Sequence, residues 1–94
     1  DQKGYFIELT NALDSRQAYQ AEVYLFELGK YEGKLTELHN YLKSANPRVR
    51  ARLTRILGNI ANPSSRPIIE ELTKDKDSEV ASEAIVALRK LTPA

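Results

Sequence analysis

The 94-residue chain contains no cysteine, no methionine and no tryptophan. Without cysteine there is no disulfide framework, no thiolate metal site and no sulfur nucleophile. Compartment stays open, because a thiol-free helical domain works in reducing or oxidising surroundings. A single histidine, His39, rules out a histidine-rich metal site. A Ser/His/Asp relay would have to use it, and no serine stands in an elbow motif. The four glycines, at 4, 29, 33 and 58, are isolated and form no phosphate-cradling loop. No apolar run approaches the ~18 residues of a membrane span, and no basic start leads into an apolar export segment. Neither sign of charge dominates. Fourteen Lys and Arg against 13 Asp and Glu leave a net charge of +1, too weak a field to steer the chain toward nucleic acid or an anionic surface. With no methionine even at position 1, the expected context is one domain, 1–94, within a longer or processed chain.

What is present is ordinary for a small globular domain: 41% hydrophobic and 29% charged residues, enough to bury about 60–65% of the unfolded surface. The informative feature is self-similarity. Asn46–Ile60, "NPRVRARLTRILGNI", lies over Asp77–Leu91, "DSEVASEAIVALRKL", at an offset of 31. Val49 meets Val80, Leu53 meets Ala84, Leu57 meets Leu88 and Ile60 meets Leu91. Asp14–Leu28, "DSRQAYQAEVYLFEL", aligns at a further offset of 32, putting Ala21, Leu25 and Leu28 in the same columns. A period of this size marks a stacked repeat.

Each copy has helical spacing. Val80, Ala84, Leu88 and Leu91 run i, i+4, i+8, i+11. Asp14, Asn46 and Asp77 stand where an N-cap accepts from orphan N–H groups. Asp14 with Gln17 has capping-box spacing, and Pro47 suits a first helical position. A shorter apolar pattern precedes each long one: Phe6, Leu9, Leu13; then Leu35, Leu38, Leu42; then Ile68, Ile69, Leu72. The segments 29–33 and 62–65 read as breaks between pairs. The pattern predicts six helices over about 4–13, 15–28, 34–43, 47–60, 65–74 and 78–91, in repeats of 4–28, 34–60 and 65–91.

The stretches "LHNYLKSANPRVRARLTRILGNI" and "IIEELTKDKDSEVASEAIVALRKL" resemble the HEAT repeat, in particular its short phycobilisome-lyase-type form. That pattern runs L-x-x-L, then D-x-x-V-R-x-x-A-x-x-A-L-x-x-L. The resemblance is clear over about 34–91 and weaker in the first copy, where Gln17 replaces the usual valine. "YLFELGKYEGKL" has a tetratricopeptide flavour, but that family's aromatic and glycine positions do not recur at about 34 residues. The HEAT resemblance implies an all-α, right-handed α–α superhelix of three helix pairs. It implies a non-enzymatic, armadillo-like scaffold that contacts proteins or peptides and uses no cofactor. Lyase chemistry does not follow, since many non-enzymes share the repeat. The alternative context is a regulatory or stacking domain of a larger enzyme.

The second long helix carries four arginines, and their placement on a helical wheel separates two roles. Arg50 lies on one flank of the core stripe. Arg48, Arg52 and Arg55 lie on the other. Stacking flank against flank predicts Arg50 beside Glu79 and Glu83, and Arg52 or Arg55 beside Glu22, an inter-repeat ladder like that of the resembling repeats. The competing reading is phosphate binding by Arg48, Arg52, Arg55 and Arg66. It is the weaker one, because the basic cluster spans one repeat and the next is acidic. Tyr19, Val23 and Phe26 form an i, i+4, i+7 stripe opposite the core face of the first long helix. Aromatic residues near arginine make binding hot spots, so these three with Arg48, Arg52 and Arg55 are the expected partner-binding residues, unless Tyr5 or the Tyr31 loop covers them. At one end of the stack, Arg16, Gln20 and Glu27 look like a polar cap. At the other, Ala81, Ile85 and Leu88 form an apolar flank, expected to be covered by Thr92–Ala94, by further polypeptide or by a second copy.

Overall fold

The computed structural model describes residues 2–43 and 46–91, and Thr92–Ala94 lie outside the described residues. Among the described residues there are six α-helices and no strand: α1 (Gln2–Ala12), α2 (Ala18–Tyr31), α3 (Leu35–Leu42), α4 (Pro47–Ile60), α5 (Arg66–Leu72, entered through a 3-10 turn at Pro63–Ser65) and α6 (Ser78–Leu91). The chain is an all-α helical repeat of three pairs. The long helices α2, α4 and α6 pack in that order, and α1, α3 and α5 each pack on the long helix that follows.

The repeat columns are the core. Ala21 and Leu25 of α2, Val49, Leu53, Leu57 and Ile60 of α4, and Val80, Ala84 and Leu91 of α6 are all buried. The short helices add Phe6, Leu9, Leu38, Leu42 and Ile69. No pair could bury this surface alone, so stacking supplies the stability. Two contacts tie the short helices of neighbouring repeats. Phe6 stacks on Tyr41, with ring centroids 5.1 Å apart. His39 Nε2 lies 2.8 Å from the hydroxyl of buried Ser65.

Local chemistry sets the helix ends. Asn46 Oδ1 accepts from the Val49 N–H at 2.9 Å and Pro47 opens α4, as its position in the sequence predicts. Asp77 Oδ1 likewise accepts from the Glu79 and Val80 N–H groups at the start of α6. The first repeat departs from the expected pattern. Asp14 does not cap α2, which starts at Ala18 behind Gln17 with no side-chain cap. The turn is closed instead by i→i−3 backbone bonds from Leu13, Asp14 and Ser15, and Ser15 Oγ accepts from the Gln17 N–H. Asp14 is thereby free to meet the next repeat, accepting from Asn46 Nδ2 at 3.3 Å and pairing with Arg48 at 3.3 Å.

Gly29 is likewise no break: it is buried inside α2. A Cβ there would sit 2.6 Å from Leu38 Cδ1 and 2.7 Å from Ile60 Cδ1, so the glycine lets α2 close on the second repeat. The reversal comes at Gly33, whose φ of +72° suits glycine. The Lys34 N–H then bonds back to Leu28 O at 3.0 Å.

Candidate functional site

The packing of α4 decides what its arginines do. A Cβ on Gly58 would lie 2.8 Å from Ala87 Cβ and 2.9 Å from Ala87 Cα, so α6 sits hard against this flank of α4. Arg50 makes a two-pronged bond to Asp75 in the α5–α6 turn, where the flank geometry had suggested Glu79 and Glu83. Its Nε and Nη2 donate to the two carboxylate oxygens of Asp75, each at 3.0 Å. Asp75 also accepts from the Asp77 N–H at 2.9 Å. The fork-to-fork bond with Arg50 holds the Asp75 carboxyl below the usual carboxylate range, helped by the Asp77 N–H and by the charges of Arg50 and Lys76. Asp75 is the rung that the sequence reading missed. The signal was the first aspartate of "DKD", left over once Asp77 serves as the cap.

Arg55 bridges all three long helices. Its Nη2 lies 2.6 Å from Glu22 Oε1 on α2 and its Nη1 3.7 Å from Glu83 Oε2 on α6. The hydrogen bond to Glu22, then the charges of Glu22, Glu83 and Glu79, raise its pKa against the lowering by burial, and it stays charged throughout. Glu79 thus acts on Arg55 through its charge. Arg48 is exposed and paired with Asp14. Arg52 is half-buried, and its buried Nε has no hydrogen-bond partner among the described residues. Arg48, Arg50 and Arg55 thus engage carboxylates from the neighbouring repeats.

The α2 stripe is only partly covered. Tyr19 is 78% exposed and Val23 is exposed. Phe26 is half-buried against the core, with Tyr31 edge-on at 6.4 Å and Lys30 Nζ 5.4 Å above its ring. The Tyr31 segment therefore shields Phe26 and leaves Tyr19 and Val23 open. On α6, Ile85 and Val86 are exposed, while Ala81 and Leu88 are half-buried.

The His39–Ser65 pair puts a serine beside an imidazole, but Ser65 is fully buried and beyond reach of a substrate. Burial lowers the His39 pKa, which fits a packing role. Among the described residues no group of three His, Asp or Glu could hold a metal ion. No described helix is long and apolar enough to cross a membrane.

A family profile for HEAT repeats matches residues 35–94. The chain belongs to the HEAT repeat family. Neither the curated proteins nor the solved structures contain a match. HEAT repeats generally mediate protein–protein interaction or scaffolding, and the family is typically non-catalytic.

Proposed function

We propose that this chain is a non-enzymatic scaffold module whose α2 face, built on Tyr19 and Val23 and edged by Phe26, docks a protein partner. The observation that carries the reading is the 78% exposure of Tyr19 on a rigid helix. A large amphipathic ring held at low entropic cost is the usual anchor of an interface hot spot. Arg55 meets α2 through Glu22, and the reading adds Arg48 and Arg52 to the rim of that face. With Arg55 engaged by Glu22 and Glu83, their contribution to a partner is orientation at the rim more than net positive charge.

A photo-crosslinking side chain at position 19, compared with one at exposed Thr36 on α3, tests this. A discrete adduct at 19 and none at 36 is the expected result. Equal labelling at both positions would end the proposal.

A second reading rests on a separate observation. Thr54 of α4 is fully buried beneath α6, whereas its repeat-equivalent on α6, Ile85, is 46% exposed. This favours a stack that continues, with further helical polypeptide or a second copy laid on Ala81, Ile85 and Leu88. That is the role expected of a stacking domain in a larger protein. Ile85→Lys should leave folding intact and abolish any self-association seen by sedimentation. Unchanged association would remove the second-copy form of this reading.

A further inference from the structure

The opposite end of the stack carries a surface that neither reading uses. Two shallow clefts of about 280 and 210 Å³ run between α1 and α2. They share Tyr5 and Tyr24, so they form one groove with two tyrosines in its wall. Both rings are half open to solvent, Tyr24 at 53%. Among the residues whose side chains are described, the charged ones lining the groove are carboxylates: Glu8 in one cleft, Glu27 and Glu32 in the other, with no lysine or arginine in either. This sign is local, because the whole chain carries +1. The end is therefore no plain polar cap. It is an aromatic groove with an acidic border.

Its place in the repeat shows that it is built to be covered. Tyr24 occupies the column of Ile56 in α4, which is buried. The apolar element that would bury Tyr24 in the same way would meet carboxylates at the border. A cation fits better: tyrosine faces attract lysine and arginine, and carboxylates pair with them. The same helix already shows the chemistry, with Lys30 Nζ 5.4 Å from the Phe26 ring centroid and 5.9 Å from that of Tyr31.

We infer that the α1–α2 groove, walled by Tyr5 and Tyr24 and bordered by Glu8, Glu27 and Glu32, binds a Lys- and Arg-rich peptide segment of a partner protein. The test is fluorescence anisotropy with two labelled helical peptides of equal length, one rich in Lys and Arg and one rich in Glu, against the wild type and a Tyr24→Ser/Glu27→Gln variant. Both substituted residues are exposed, and circular dichroism checks that the variant folds. The basic peptide should bind the wild type, weaken as salt rises, and bind the variant about tenfold more weakly. The acidic peptide should not compete.

Three results would overturn the inference. One is no binding of the basic peptide. Another is equal binding to the variant. The third is concentration-dependent self-association of the wild type that Tyr24→Ser abolishes, which would make a second copy the occupant. Labelling at position 19 is read separately, so failure here leaves the α2 docking face untouched, and the reverse.

Discussion

The interface between α4 and α6 is close; the one between α2 and α4 is more open. The same repeat columns explain both. Where α4 faces α6 it carries Ala51 and Gly58, and Ala51 is 1% exposed. In the same columns α2 carries Tyr19 and Phe26. Small residues admit the next helix to backbone contact, as Gly58 admits Ala87. Aromatic residues cannot enter such a gap, so they end up beside the junction, half-covered or in solvent. A substitution that costs packing at one repeat junction thus supplies a surface feature. The electrostatics divide the same way. Arg50 and Asp75 form a well-covered, two-pronged bond at the close junction, with side chains 21% and 12% exposed, while Arg55 and Glu22 form a more exposed pair at the open one.

Core and junction substitutions should separate the two interfaces most clearly. Leu53→Ala, in the fully buried centre of α4, should cost about 2–5 kcal/mol in urea denaturation. Gly58→Ala drives a Cβ into the Ala87 backbone and should cost about 2 kcal/mol. Gly29→Ala, on the α2 side, meets the movable side-chain ends of Leu38 and Ile60 and no backbone of theirs within the nearest contacts. Its helix-propensity gain of about 1 kcal/mol should offset much of the clash. Equal penalties at 58 and 29 would break the comparison.

The ion pairs come next in size. Asp75→Asn should cost about 1.5–3 kcal/mol, as expected for a charge-assisted bond at a covered site. Glu22→Gln should cost about 0.2–1 kcal/mol, because Arg55 remains substantially solvated.

Acid should reveal the same order through pH. The folded Asp75 pKa is depressed, so the unfolded state binds the proton first. Its contribution is present above the ordinary carboxylate value of about 3.9 and is lost as pH falls through the lower folded value. His39 is also depressed, by burial, and the unfolded chain again binds the proton first. Its contribution is complete above about pH 6.5 and declines on acidification below it. Urea midpoints measured against pH should show two losses, the upper one absent in His39→Gln and the lower one absent in Asp75→Asn. Smallest of all, Tyr19→Ser should change stability by less than about 0.5 kcal/mol.

The periodic parts of the fold were legible because burial imposes periodicity. The columns through Val49, Leu53 and Leu57 and the caps at Asn46 and Asp77 follow from spacing and residue type. The first turn was not legible. Asp14 could cap α2 or reach Asn46 and Arg48, and only the tertiary packing chooses between them. Gly29 reads as punctuation in one dimension and as a close approach in three. The arginine wheel put Arg55 beside Glu22, and Arg55 reaches Glu83 of α6 as well. The partner of Arg50 is Asp75, in the turn before α6, and a helical wheel does not place turn residues. The groove between α1 and α2 was hidden for a similar reason: Tyr5 and Tyr24 lie on different helices, and only the pairing of those helices brings them to one wall.

The proposed division of labour gives the arginines the repeat junctions and the exposed α2 stripe the partner. Capture from source lysate with three folded proteins tests it directly: the wild type, Tyr19→Ser/Val23→Ser and Arg48→Gln/Arg52→Gln. The expected result is a partner that is retained by the wild type and the arginine variant and lost by the α2 variant. A partner retained by the α2 variant and lost by the arginine variant would contradict it.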